Sequence, residues 1–168
     1  MIRKFIFLLL TLSALLSASS CANMGRLNRV IDPQKVNKKD LESLPVVKTP
    51  VYHFRLTAEH ALNGKLDTLT ANVDEQFAEF SECFAISDEG ERAREFLIAV
   101  VEGTFECKFH NGRCNGEYDP DNKLIVVTYK AFNRKGKMPL LKHEWAHAYK
   151  LLESDHDNLK EVQKCTVY

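Results

Sequence analysis

Residues 139–152 repeat their apolar side chains at helical intervals, and inside that run stands His143-Glu144-Trp145-Ala146-His147. Two histidines four apart on a helix face the same way, about 40° apart in projection and about 6 Å along the axis, so both imidazoles can reach one metal ion. Glu144 lies roughly 100° round from His143, too far to be a third ligand yet near enough to reach a water on that ion. A catalytic zinc needs protein ligands plus one open position for water, whose pKa it lowers to about 7. The stretch therefore supplies two ligands, His143 and His147, and a general base, Glu144.

The competing reading places the same residues by chance on a solvated face. The pattern argues against it. Leu141, Trp145, Ala148 and Leu152 fall at i, i+4, i+7 and i+11 and form a separate core-facing stripe. Leu140 and Leu151 flank the histidines, where a plain solvated face would not carry two leucines.

Arg3 and Lys4 precede an apolar run from Phe5 to Leu16 and a small-residue stretch ending at Cys21-Ala22. This is the pattern of a secretory signal peptide over residues 1–21, too short for a membrane span. It admits two processings. Cys21 resembles the lipidated cysteine of a bacterial lipoprotein signal, with Ala18 where an aliphatic residue is usual, whereas cleavage after Ala22 would remove the cysteine. Expected locations are the periplasm or cell surface, with membrane contact only through a lipid on Cys21. Basic and acidic residues balance at 23 each, with no long basic block, which disfavours nucleic acid as a partner.

Cys83, Cys107, Cys114 and Cys165 remain in the body of the chain. An even number in an exported domain reads as two disulfides rather than as zinc ligands or a nucleophile, and no C-x-x-C pair is present. Cys107 and Cys114 bracket the hairpin-turn pair Asn111-Gly112, which favours joining them and leaves Cys83 for Cys165.

Residues 22–49 are polar, lysine-bearing and aperiodic, and read as a tether. Residues 50–168 form the expected domain, one that is large enough for its own core. Val51–Leu56 predicts a strand, and Leu66–Phe84 a helix with Leu69, Val73, Phe77 and Phe80 on one face, capped by Thr70 or Asn72. Glu91–Arg94 predicts a helical turn, Phe96–Val101 an interior strand continuing into the cysteine hairpin, and Lys123–Tyr129 a strand after the Asp119-Pro120-Asp121-Asn122 turn. The aspartates of that turn lack the spaced carboxylates of a calcium loop. His53, His60 and His110 are isolated and read as surface residues, with His110 at a hairpin tip facing substrate as the alternative. The alternation predicts an α+β fold, a small twisted sheet packed on two main helices, the second carrying the histidines.

On the H-E-x-x-H residues and the strand Leu124–Thr128 before them, the chain resembles the zincin metallopeptidase superfamily, over roughly residues 96–157. That resemblance implies one zinc ion on His143 and His147, Glu144 activating water for attack on a peptide carbonyl, and Leu124–Thr128 as the edge strand that pairs with an extended substrate. The metzincin pattern would place a helix-ending Gly at 150 and a third His at 153, where this chain has Lys150 and Glu153. Without that Gly the helix is expected to continue and to carry Glu153 away from the site. His156 is similar to the SprT-like arrangement, in which a His from a following turn completes the site. It ranks first as third ligand, ahead of Asp157, Asp155 and Glu161. The expected activity is peptide-bond hydrolysis by an exported monomer acting on a peptide or protein substrate. The alternatives are a non-catalytic envelope lipoprotein with a structural or vestigial metal site, and a peptidoglycan amidase.

Overall fold

The computed structural model describes residues 41, 44–109, 111–132, 139–152, 156 and 158–164. In chain order the elements are β1 (Val47–Lys48), β2 (Arg55–Ala58), a 3-10 turn (His60–Lys65), α1 (Leu66–Cys83), α2 (Glu91–Arg94), β3 (Leu97–Val101), β4 (Phe105–Glu106), β5 (Arg113–Cys114), β6 (Gly116–Asp119), β7 (Leu124–Thr128), α3 (Tyr129–Phe132), α4 (Leu140–Ala148) and α5 (Leu159–Lys164). Among the described residues no helix is long and apolar enough to cross a membrane. The fold is α+β, as the alternation predicts.

The main sheet runs β1-β2-β3-β7-β6, with β2, β3 and β7 parallel and both edges antiparallel. Leu97–Val101 and Leu124–Thr128 are buried at every residue, because a parallel centre is covered on both faces and its strands are apolar throughout. One face carries Leu56, Ile98, Val100, Ile125 and Val127 against Phe77, Phe80, Leu141 and Trp145 from the two long helices. Phe77 meets the Trp145 ring edge-on at 5.1 Å, a favoured aromatic geometry. All four residues of the expected α4 stripe, Leu141, Trp145, Ala148 and Leu152, are buried.

Several local expectations shift. The tether is shorter than its composition implies: Val47–Lys48 pairs with β2, and Leu41 and Leu44 cover the back of the sheet against Leu97, Ala99, Val101 and Val126. Two scattered leucines carry no period, yet the back face needs a cover. Val51 and Tyr52 are not strand, since their backbone N–H groups donate to the Asp74 carboxylate at 2.8 and 3.2 Å, and the strand starts only at Arg55. Helix α1 begins at Leu66 with no side-chain cap, so Thr70 and Asn72 lie inside it.

The hairpin after β3 is closed as expected by Cys107–Cys114, with a Cα–Cα distance of 5.3 Å. Cys83 is also disulfide-bonded, and Cys165 lies outside the described residues. The Asp119 turn is a hairpin turn: its carboxylate accepts from the backbone and side-chain N–H groups of Asn122 at 3.1 and 2.6 Å and joins β6 to β7. That hairpin overturns the assignment of Leu124–Thr128 as the edge strand. β7 is interior, between β3 and β6, and the open edge is Gly116–Asp119.

Candidate metal centre and cleft

Helix α4 starts after Pro139, whose carbonyl accepts from the N–H groups of Lys142 and His143 at 3.1 and 3.3 Å. It presents His143 and His147 one turn apart, their ring centroids 4.9 Å from each other. It does not continue to residue 153. Lys150 adopts φ +57°, donating its N–H to the His147 carbonyl at 3.0 Å, while Leu151 N–H reaches the Ala146 carbonyl at 2.8 Å. These are the two bonds of a Schellman stop with a left-handed C′ residue, formed here by lysine where glycine is usual. The helix therefore ends where a glycine would have ended it, and the chain turns back over its own last turn. Asn158 Nδ2 donates to the Leu151 carbonyl at 2.7 Å, which ties the start of α5 to the end of α4.

That return places His156 on the ligand face. His156 Nε2 lies 3.2 Å from His143 Nε2 and 3.3 Å from His147 Nε2, and the three ligand nitrogens all fall within 4.8 Å of one another. Each imidazole nitrogen offers either one hydrogen or one lone pair, so three converging nitrogens can satisfy only one hydrogen bond among themselves. One cation satisfies all three. Two nitrogens on a tetrahedral zinc stand about 3.3 Å apart at ordinary Zn–N lengths, which matches the spacing found. His143, His147 and His156 thus form a group that could hold a metal ion. Among the described residues, no other cluster of three His, Cys, Asp or Glu does so.

Asp155 and Asp157 lie outside the described residues, as does the side chain of Glu161. His53 and His60 are not part of the cluster; His60 Nδ1 contacts Asn63 Nδ2 at 3.3 Å. His110 lies outside the described residues. Tyr149 serves the core, donating from its hydroxyl to Asp88 at 3.0 Å and packing on Phe80.

Burial pushes the His143 imidazole down to about 4, reinforced by the neighbouring His147 and His156; burial and His156 likewise lower His147, against a backbone hydrogen bond at Leu152. Both are held neutral, the form that binds metal. Glu144 is 4 % exposed. Burial, with the Glu117 carboxylate beside it, raises its carboxyl to about 8, and a hydrogen bond from the Tyr118 backbone works in the opposite direction. A carboxylate near neutral affinity for protons is suited to take one and give it back.

These groups floor a cleft of about 650 Å³, within the usual range for a ligand site. The edge strand lines it through Gly116, Glu117 and Tyr118, together with Phe109 of the disulfide hairpin. The Tyr118 ring lies nearly parallel to His147, 6.4 Å away. Glu117 accepts from the backbone N–H groups of Lys108 and Phe109 at 2.7 and 3.2 Å, tying that hairpin to the edge strand. None of these wall residues stands out in the sequence. The available signal was the Asp119 turn, which marks a hairpin and hence a strand on its N-terminal side. No protein-family model matches the chain, and no curated protein or solved structure does.

Proposed function

We propose that this chain is an exported zinc-dependent peptidase, with His143, His147 and His156 as the ligands and Glu144 as general base. The observation that carries the reading is the convergence of three imidazole nitrogens at 3.2 and 3.3 Å beside a buried carboxylate on the floor of an open cleft. Three nitrogens with space beyond them suit a catalytic site, whereas a structural zinc is closed by four protein ligands. A zinc ion held there supplies a Lewis acid that polarises the scissile carbonyl and makes water acidic near pH 7.

The chain's own residues do the rest. Glu144 takes a proton from the attacking water at its Oε atoms and hands it to the departing amine. The Gly116 N–H and carbonyl and the Tyr118 carbonyl are outward backbone groups of the edge strand, on which an extended peptide can pair. The site's burial strengthens each of these interactions.

The experiment is metal content and turnover on the leaderless protein with a mixed peptide library. One zinc per chain with peptide cleavage is expected. Glu144→Gln should keep the zinc and lose cleavage by at least about 100-fold, the scale of general base catalysis. Cleavage undiminished in that variant would remove the proposed base, and a folded parent that takes up no zinc would remove the reading altogether.

A further inference from the structure

Gly116 opens the strand that walls the cleft, and nothing in its backbone calls for glycine. Among the described glycines only Gly90 and Gly112 have positive φ, and Gly116 lies in the ladder of β6 opposite Val127. Glycine within a strand weakens it and often marks a close approach by another group. Here the approaching group is identifiable. A Cβ built on Gly116 would stand 2.6 Å from Glu144 Oε1, with Leu140 side-chain carbons at 3.2 and 3.3 Å.

The register explains why the carboxylate comes to this point. Thr128 N–H donates to the Asn115 carbonyl at 2.7 Å, so Asn115 and Thr128 form a hydrogen-bonded pair of the antiparallel ladder. Such pairs alternate with pairs whose backbone groups point away from the partner. Gly116 and Tyr118 therefore turn their N–H groups to the open edge, and that of Tyr118 is the one that binds Glu144.

We propose that Gly116 is the positioning residue of the general base: its missing side chain leaves the gap into which the Glu144 carboxylate leans, against the edge strand and onto the Tyr118 N–H. The assignment deepens the peptidase reading and rests on it for its catalytic meaning. Ordinary contact for a Cβ begins near 3.4 Å, so a methyl group at 116 drives Oε1 back by about 0.8 Å. The displaced atom is the end of a flexible side chain, which lets the fold survive while the base moves. A misplacement on the scale of 1 Å costs catalysis up to about 100-fold.

The test is Gly116→Ala, made in the parent and in Glu144→Ala, with zinc content, steady-state kinetics and thermal melting. In the parent background the variant is expected to keep its zinc and its KM and to lose kcat by about 10- to 100-fold. Its Tm should fall with Glu144 present and stay or rise when residue 144 is alanine, because Gly→Ala without a clash stabilises through the unfolded chain. Equal Tm shifts in the two backgrounds, or a parent-like kcat in the Gly116→Ala protein, would overturn the proposal. If the parent cleaves no peptide, the peptidase reading fails, and the paired melts alone decide whether Gly116 makes room for Glu144. Gly116→Ala protein that accumulates only when Glu144 is also replaced counts as support.

Discussion

The turn after α4 offers a perturbation whose size can be worked out in advance. Lys150 sits at φ +57°, a conformation that costs an L-residue about 1–2 kcal/mol. Glycine there removes that strain but gives up about 0.5–1 kcal/mol to the freer unfolded chain. Lys150→Gly should therefore stabilise the protein by roughly 0.5–1 kcal/mol, or about 1–4 °C in Tm for a domain of this size. Lys150→Ala keeps the strain and should melt near the parent, while Lys150→Val adds a β-branch in the left-handed region and should melt lowest. Melting in chelator isolates the backbone effect from metal binding. Since this turn precedes His156, which stands with the other two imidazoles, Val should also weaken metal affinity, and Gly should leave it unchanged. A Val variant as stable as the parent, together with a destabilised Gly variant, would show that residue 150 does not make this turn and that His156 is delivered otherwise.

Metal removal is the next lever: zinc at about 1,000 times its Kd stabilises by about 4 kcal/mol, so chelation should lower the parent's Tm by roughly 10 °C. That gap should shrink sharply in His156→Ala, and identical parent melts with and without chelator would refute the shared site. In the metal-free protein the buried groups give opposite pH trends. Glu144, raised from 4.5 to about 8, contributes stability that is full below pH 4.5 and lost as pH rises through 8. His143, lowered from 6.5 to about 4, contributes stability that is full above pH 6.5 and lost as pH falls through 4. Between pH 6.5 and 8 the parent should thus lose stability with rising pH and Glu144→Gln should lose less. Urea titrations with equal slopes in both would contradict the burial argument. Lys142 and Glu79 link α4 to α1 at 2.7 Å, with the lysine side chain 1 % exposed. Glu79→Gln, which removes the partner's charge from a buried ammonium, should destabilise more than Lys142→Met, which removes the buried charge itself; the reverse order in chemical denaturation would refute that account.

What the sequence determined is what short-range physics dictates. The helical period places His143 and His147 together, and Leu141 and Trp145 on a separate core-facing side, as 3.6 residues per turn requires. The Cys107–Cys114 closure followed from the Asn111-Gly112 turn, and the interior strands from their unbroken apolar runs. Where long-range contacts compete with local preference, tertiary structure decided. Lys150 ends the helix against its own left-handed penalty, and β6 is the open edge because β7 is held between two neighbours. Leu41 and Leu44 join the fold because the back of the sheet must be covered. The third imidazole and the wall of the cleft belong to this second group. The position of His156 after the motif makes it a candidate, but only the folded chain brings its nitrogen within 3.3 Å of the others. Gly116 carries no side chain to announce a role, and its place against Glu144 exists only once strand and helix are packed together.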